Sequence, residues 1–351
     1  MLSSKILFVL KRKQDYNFST DYSVGLSTGL YNSAQFMNQM LLDGGFDSQM
    51  VVVNDNNDID REVTLHKPTH VIIEALWVVP SKFEVLCKLH PNIKWVIRLH
   101  SEIPFLANEG MAMDWIGEYS KFNNIIISCN SPQTTKDIEF YLTHKLGITK
   151  KVQFLPNFYP QQYKTKSFNK KSDVINVGCF GAIRPLKNHL IQAIAAIKFA
   201  DKIGKKLNFH INSDRVEQKG EPILNNLIAT FEQLNHKGHK LVHHDWSVRE
   251  QFIELCSTMD IGIQVSFNET FNIVGADIVS QGVPLVASPE IPWASKIFTS
   301  RQTNTDDIVD LLNCTYSHPK INVLLNQRGL KQYTNNTKHI WFNFFKSYLY
   351  R

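Results

Sequence analysis

The sequence is poor in the features that mark several classes of protein. Its 351 residues include only 5 cysteines, an odd number without a Cys-x-x-Cys pair, so neither a disulfide framework nor a zinc site is indicated. Reduced thiols in a cytoplasmic protein are therefore expected. The apolar run Val71–Pro80 is too short to span a membrane and contains Glu74. Ile6–Leu10 is followed by basic residues instead of a cleavage site, so no signal peptide is expected.

The overall composition is that of a globular protein. Hydrophobic residues make up 43% of the chain and charged residues 20%, with no block typical of disorder. A chain of 351 residues is long enough for two domains of ordinary size. The net charge of +6 suits an acidic ligand or substrate, although many enzymes carry as much.

Short apolar strands alternate with helical segments along both halves of the chain. In the first half the predicted strands are Lys5–Leu10, Gln49–Val53, His70–Ile73, Trp95–Leu99, Asn124–Ser128 and Val152–Leu155. In the second half they are Val174–Phe180, Lys206–Ile211 and Lys240–His243. Continuous apolar strands separated by helices predict parallel sheets covered on both faces. The sequence therefore predicts an α/β fold of two Rossmann-like domains facing a central cleft.

The domain boundaries follow from a break in this alternation. Residues 161–173 are polar and rich in lysine, without an apolar period, which is typical of a linker. We expect an N-terminal domain at 1–165, a C-terminal domain at 172–331 and a terminal segment at 332–351 that is helical from Thr337 to Tyr350. Ligands of such sheets bind at the carboxyl ends of the strands.

The most informative segment is residues 261–286. It contains an apolar strand, an acidic loop, a predicted helix with a second acid, and another apolar strand. Glu269 and Asp277 are eight residues apart, on either side of the loop-to-helix junction. A helix N-terminus attracts an anion, and carboxylates can bind hydroxyl groups. Sugar nucleotides need both kinds of contact.

In each half of the chain, a loop that contains glycine follows the first strand. The loop after Val174–Phe180 contains Gly181, Arg184 and Lys187, whose charges could stabilise a diphosphate. A solvated surface loop is the alternative. Gly29 belongs to the other loop, 25–30, which lacks the Gly-x-Gly-x-x-Gly spacing of a dinucleotide site. That loop could approach a phosphate or an acceptor, or simply connect the strand to the helix.

These motifs resemble those of retaining glycosyltransferases of the GT-B fold, in particular the family-4-like enzymes. Glu269 and Asp277 are similar to the acid-x7-acid signature, although the second acid is usually Glu and Asn272 stands where Gly is common. The resemblance implies that Glu269 contacts the donor sugar and Asp277 the nucleotide ribose. It implies that Arg184 and Lys187 bind the diphosphate, with a further cradle from Phe271, Asn272, Ile273, Val274, Gly181 and Gly29.

The resemblance also implies a reaction. A hexose or pentose would pass from a nucleotide-diphosphate sugar to an acceptor hydroxyl with retention, without a cofactor or metal. His100, which follows the strand Trp95–Leu99, is similar to a first-domain histidine that reaches the donor sugar, although a structural histidine is the alternative. The terminal helix would pack back on the first domain.

The acceptor is the least determined part of this reaction. The Asn- and Lys-rich composition resembles glycosyltransferases of tailed bacteriophages, which implies hydroxymethylated bases of DNA as acceptor and the host cytoplasm as location. A surface glycan, a teichoic acid or a lipid is the alternative acceptor. A nucleotide-sugar epimerase or phosphorylase, or a binding protein that has lost catalysis, remains open.

Four other polar clusters suggest different kinds of site. Asp58 and Asp60 could hold a divalent cation, but a solvated or acceptor-binding loop is favoured. Neighbouring residues of the stretch 243–245 point to opposite faces of a strand, which favours a structural role over a metal site. The basic cluster 11–13 could bind an acidic acceptor. The linker lysines, which are expected to be solvated, are Lys164, Lys166, Lys170 and Lys171.

Overall fold

The computed structural model describes residues 4–11, 28–147, 152–168 and 171–348. The chain forms two compact units. Unit 1 consists of Met1–Pro160 and Thr334–Arg351, and unit 2 consists of Gln161–Tyr333. Each unit contains its own parallel sheet with helices, so the α/β prediction is confirmed.

Unit 1 is built on a six-stranded parallel sheet. Its strands are β1 (Lys5–Lys11), β2 (Asp47–Val53), β3 (His70–Glu74), β4 (Lys94–Leu99), β5 (Ile125–Cys129) and β6 (Gln153–Phe154), in the order β2-β1-β3-β4-β5-β6. The helices are α1 (Thr28–Asp43), α2 (Asp58–His66), α3 (Pro80–Leu89), α4 (Ile103–Leu106), α5 (Ala112–Ser120) and α6 (Pro132–Leu146). All six predicted strands are present, with ends shifted by no more than two residues.

Strand β1 shows why the apolar runs form buried strands. Ile6 and Phe8 belong to the core on one face of the sheet, which also contains Trp341. Leu7 and Val9 belong to the core on the other face. Since successive side chains point to opposite faces, a strand covered by helices on both sides must be apolar throughout.

Unit 2 contains a five-stranded parallel sheet. Its strands are β7 (Val174–Gly178), β8 (Lys206–Asn212), β9 (Lys240–His244), β10 (Ile261–Gln264) and β11 (Leu285–Ala287), in the order β11-β10-β7-β8-β9. The helices are α7 (His189–Lys202), α8 (Glu221–Gln233), α9 (Arg249–Thr258), α10 (Ile273–Ser280), α11 (Thr305–Ser317) and the first part of α12 (Pro319–Lys346), whose residues from Thr334 onward belong to unit 1. Strand order reverses between β7 and β10, so the loops after these two strands leave the sheet side by side.

The last helix is longer than the sequence indicated. Helix α12 begins at Pro319, whereas the apolar period predicted a helix from Thr337. The first part of α12 shows no apolar period in the sequence because several of its buried side chains are polar. Asn322 bonds both the amide and the carbonyl of Leu285, at 2.8 and 2.9 Å. A buried amide that satisfies backbone groups of a strand is stable in the core, but it carries no hydrophobic signal.

Two further expectations need correction. The polar stretch at Asp58 is the first turn of α2, not a loop. Lys166 is not solvated, because its ammonium group donates to the carbonyls of Ser257 and Met259, at the end of α9. Cations at a helix C-terminus are stabilised by the carbonyls left without intrahelical partners. Within the described part of the chain, no helix has the length and hydropathy needed to cross a bilayer.

Candidate active site

The loop after β7 is shaped by two residues with left-handed backbone conformations. Gly181 has φ +113°, and its amide donates to the Oδ1 of Asn212, at the end of β8, at 3.0 Å. Asn188 has φ +59° and anchors its side chain on the carbonyls of Val265 and Gln302. Glycine and asparagine tolerate such conformations best. The loop between them, which holds Arg184 and Lys187, is therefore fixed at both ends.

Lys187 and Glu269 form an ion pair in unit 2. Lys187 closes a short 3-10 turn after β7, and Glu269 lies in the loop after β10. The Nζ of Lys187 lies 2.5 Å from the Oε1 of Glu269, and the side chains are only 12% and 8% exposed. Strand order explains the contact, because β7 and β10 are neighbours at the reversal point of the sheet. Two residues that the sequence motifs singled out separately thus lie together.

Arg184 belongs to a second group of charged residues, although it lies in the same loop after β7 as Lys187. Its Nη1 is 3.5 Å from the Oε2 of Glu217, and the Oε1 of Glu217 accepts from Arg215 at 2.7 Å. The guanidinium of Arg215 lies over the ring of Trp246 at 4.3 Å. Arg215, Glu217 and Trp246 follow β8 and β9 and were not singled out from the sequence. They are connected to Arg184 only through Glu217.

The positive charge of this loop acts on a neighbouring histidine. His189, the first residue of α7, is 1% exposed. Burial, followed by the charges of Lys187 and Arg184, lowers the pKa of His189 to about 3. The imidazole is therefore neutral at pH 7, so it does not compete with the two cations for an anion.

Asn272 stands where glycine is common in the signature that this segment resembles. It has φ +59°, and its Oδ1 accepts from the amide of Gly275 at 2.7 Å, which caps α10. Its Nδ2 donates to the Oε1 of Gln264, on β10, at 2.9 Å. Asparagine thus supplies both the left-handed turn and the N-cap. Ile273 and Val274 are the first residues of α10, where amides have no intrahelical acceptor.

Asp277 has a partner that the sequence did not reveal. It lies in α10 with 3% of its side chain exposed, and its Oδ1 is 2.6 Å from the Nη2 of Arg249. Arg249 begins α9, which packs against α10. The ion pair fixes one of its two oxygens. Asp277 therefore has a defined position here, although aspartate is shorter than the Glu that is usual in the signature.

The candidate residues of unit 1 gather at the ends of β3 and β4. The Nε2 of His100 contacts the Oε2 of Glu74, and Arg98 donates to the same carboxylate at 3.0 Å. Glu74 and Arg98 were not singled out as site residues, since charged residues within apolar strands carry no functional signal by themselves. Gly29 lies in the first turn of α1, and the rest of its loop up to residue 27 lies outside the described residues, as do Arg12 and Lys13.

The aspartate pair of unit 1 serves local structure. Asp58 accepts from the amide of Asn54 at 2.9 Å and pairs with Arg61, whereas Asp60 pairs with His90 at 2.7 Å. The two carboxylates thus have separate partners. Among residues 4–11, 28–147, 152–168 and 171–348, no cluster of three or more His, Cys, Asp or Glu side chains could hold a metal ion.

A close helix contact supports the loop that precedes α10. Trp293 donates its Nε1 to the carbonyl of Phe271 at 2.6 Å, and a Cβ on Gly329 of α12 would lie 2.2 Å from the carbonyl oxygen of Trp293. Gly329→Ala should therefore lower the unfolding free energy by about 3 kcal/mol, because the backbone cannot yield as a flexible side chain would.

Chemical denaturation followed by tryptophan fluorescence measures this effect. The control is Gly110→Ala, whose Cβ would have no described atom within 4 Å. Equal stability of the two variants would show that α12 and Trp293 can separate at little cost.

Comparisons with known proteins give structural neighbours only. No protein-family model and no curated protein matches the sequence. The N-terminal domain of Candida albicans trehalose-6-phosphate phosphatase has a TM-score of 0.72 at 11% identity, over 99% of this chain and 97% of that one. Sucrose-phosphate synthase from Thermosynechococcus elongatus has a TM-score of 0.69 at 10% identity, over 98% and 99%.

A third neighbour is a UDP-forming α,α-trehalose-phosphate synthase from Burkholderia vietnamiensis. Its TM-score is 0.67 at 10% identity, over 98% of this chain and 96% of that chain. Matches over nearly the full length of both chains at such low identity establish the architecture alone. The protein has the GT-B glycosyltransferase fold, as the sequence motifs predicted.

Proposed function

We propose that the protein is a glycosyltransferase that moves a sugar from a nucleoside diphosphate sugar to an acceptor hydroxyl. The observation that carries the proposal is the 2.5 Å contact of Lys187 with Glu269 at the reversal point of the unit 2 sheet. It brings a cation for a phosphate next to a carboxylate for sugar hydroxyls. Arg184 lies in the loop after β7, and the first turn of α10 follows the loop after β10. Both can bind an anion as well.

Each site residue receives a role that its position supports. We assign the donor to unit 2, with Arg184 and Lys187 on the diphosphate, Glu269 on the sugar and Asp277 on the ribose. Arg249 holds the Oδ1 of Asp277 and so orients the carboxylate. The backbone cradle comprises Gly181, Phe271, Asn272, Ile273 and Val274. We assign the acceptor to unit 1, with Gly29 near it and His100 on a substrate hydroxyl.

The reaction needs stabilisation of a leaving group more than a side-chain nucleophile. The bond from the sugar C1 to the β-phosphate oxygen breaks as the acceptor oxygen bonds to C1 on the same face. The acceptor proton passes to an oxygen of the departing diphosphate. Negative charge grows on that diphosphate, and fixed cations such as Arg184 and Lys187 stabilise it. In this scheme the configuration at C1 is retained and no metal is required.

The donor and acceptor classes rest on separate arguments. A structural neighbour is named for forming UDP, so UDP-sugars are the first donors to test. For the acceptor we propose an anionic molecule with a hydroxyl group, because the net charge of +6 favours one. DNA with hydroxymethylated bases is our test case. We propose a cytoplasmic location, where the thiols of the five cysteines would stay reduced.

The decisive experiment combines binding with product analysis. Purified protein is titrated calorimetrically with UDP and a panel of nucleotide sugars, then incubated with each donor and with DNA that contains or lacks 5-hydroxymethylcytosine. Nucleoside mass spectrometry should show one added sugar on the hydroxymethylated base only. Transfer to glycans or lipids instead would replace the acceptor, and turnover without any acceptor would indicate an epimerase. Failure to bind any nucleotide sugar would overturn the donor assignment.

A further inference from the structure

Unit 2 has an open groove beside the first turns of α12. It is lined by the segment 164–168, by Lys171 and Gly282, and by residues of α11 and α12 between Ser317 and Gln327. Gly282 follows the C-terminal end of α10, whereas the candidate active site lies at the N-terminal end of that helix. The groove has a volume of about 1130 Å³. Because small-ligand sites usually have roughly 300–1,000 Å³, this groove suits an extended partner better than a small molecule.

The segment 164–168 is held firmly against the rest of unit 2. The amide of Lys164 donates to the carbonyl of Ser280 at 2.7 Å, and Gln327 donates to the carbonyl of Lys164 at 3.3 Å. The ammonium group of Lys166 donates to carbonyls at the end of α9. A Cβ at Gly282 would lie 2.7 Å from the carbonyl oxygen of Lys164, so only glycine permits this close approach. The groove is therefore a fixed feature of the fold.

The two segments that line the groove contain cations without acids. Residues 161–172 include four lysines, residues 311–333 include three Lys or Arg, and neither segment has an Asp or Glu. These seven cations account for the entire net charge of +6, so the positive charge of the protein is concentrated here. The exposed lysines among the described lining residues are Lys164, Lys171 and Lys320. Such a surface attracts an anionic partner.

Helix α12 exposes apolar side chains at the same groove. Ile321 and Leu324 are three residues apart, hence neighbours on the helix surface, and they are 51% and 65% exposed. Asn322 and Asn326 are fully buried instead. This arrangement is the reverse of an ordinary surface helix, which buries its apolar stripe and exposes its polar residues. Exposed apolar side chains beside cations indicate a partner with both anionic and apolar parts.

The candidate partners differ in how they would use these side chains. The phosphates of a nucleic acid would contact the lysines but leave Ile321 and Leu324 in water. An acidic peptide would insert its own side chains into the groove, whereas a side chain as exposed as Leu324 has to enter the partner to be buried. A bilayer with anionic lipids offers phosphates to the cations and an acyl boundary to the protruding apolar side chains.

We propose that this groove of unit 2 is a docking surface for a lipid bilayer that contains anionic lipids. Ile321 and Leu324 enter the boundary between headgroups and acyl chains, and the exposed lysines contact lipid phosphates. The inference goes beyond the proposed function and does not depend on it. Docking of this kind holds a protein on a membrane without a spanning helix.

Sedimentation with vesicles measures this binding directly. Full-length protein is mixed with vesicles of phosphatidylcholine alone, or of phosphatidylcholine with an equal amount of phosphatidylglycerol, and the bound fraction is followed against lipid concentration. We expect binding to the anionic vesicles only, and weaker binding as salt screens the charges. Absence of binding to the anionic vesicles would overturn the proposal whether or not the protein transfers a sugar.

The apolar contact is tested by the double variant Ile321→Ser with Leu324→Ser. It should bind anionic vesicles at least about tenfold more weakly, because two apolar side chains no longer leave water on docking. The control is Ile297→Ser, whose isoleucine is 68% exposed elsewhere in unit 2 and which should bind as the unmodified protein does. If the double variant binds as well as the unmodified protein, α12 is not the docking surface.

The charge contact is tested by Lys164→Gln with Lys320→Gln, which should weaken binding about tenfold. Lys198→Gln with Lys202→Gln removes the same charge from exposed positions on α7 and should have no effect. Equal weakening by both pairs would mean that any positive surface suffices, and it would exclude the groove. Circular dichroism verifies that each variant is folded. Binding of double-stranded DNA or polyglutamate through Lys164 and Lys320, without binding to vesicles, would assign the groove to another partner and overturn the proposal.

Discussion

Replacing Lys187 with methionine should lower kcat at least about 100-fold and weaken the binding of UDP. The side chain of Lys187 is 12% exposed in unit 2, in the loop after β7 where a diphosphate is proposed to bind. A buried cation acts strongly because little water screens it, and it requires no reorganisation as charge develops on the leaving group. Methionine keeps an unbranched side chain that is one atom shorter, and it removes the charge together with the hydrogen-bond donors.

The matched control for this variant lies on the surface of the same unit. Lys202 also pairs with an acid, Asp310, at 3.0 Å, but both partners are exposed. Lys202→Met should leave kcat and the Kd of UDP unchanged. Steady-state kinetics and calorimetry, with circular dichroism to verify folding, separate the two variants. Full turnover by a folded Lys187→Met protein would remove this residue from the mechanism.

Glu269→Gln should lower kcat by about 100-fold while the affinity for UDP stays the same or rises. UDP lacks the sugar that Glu269 is assigned to bind, so the loss of the carboxylate removes no contact with UDP. The same substitution frees Lys187 from a competing negative charge at 2.5 Å. UDP binding should weaken in Lys187→Met and should stay the same or strengthen in Glu269→Gln. This difference distinguishes the phosphate role of Lys187 from the sugar role of Glu269.

The control for this second variant is Asp310→Asn, which removes the acid of the surface pair. It should behave as the unmodified protein in both measurements. A weaker affinity of Glu269→Gln for UDP would mean that the carboxylate holds Lys187 in place and does not bind the sugar. Unchanged kcat in the folded variant would exclude Glu269 from the reaction.

Much of the fold could be predicted because burial leaves a strong trace in the sequence. A strand covered on both faces has to be apolar at every position, as in β1, and the period changes to that of a helix between strands. Helix α3 begins at Pro80, since proline favours the first turn of a helix. The first part of α12 was missed because Asn322 and Asn326 lie buried there, where their amides are bonded to the backbone of Leu285.

The candidate site could be predicted in part. Arg184, Lys187, Glu269 and Asp277 belong to local motifs that follow predicted strands. Arg249, Glu217, Glu74 and Arg98 do not, since each acquires its role from a partner more than twenty residues away along the chain. Charged residues are usually solvated, so sequence reasoning ignores them unless a motif includes them.

By itself, the sequence determined the two parallel sheets, the strand positions and the side chains available for an anion and a sugar. These properties depend on local hydrophobicity and on short motifs, which are fully present in the chain. Only the tertiary structure decided which charges meet. The strand order β10-β7 brings Lys187 to Glu269, and the register of β3 with β4 brings Glu74 to Arg98 and His100. Pairing across a sheet depends on topology, and ion pairs between distant residues leave no local pattern.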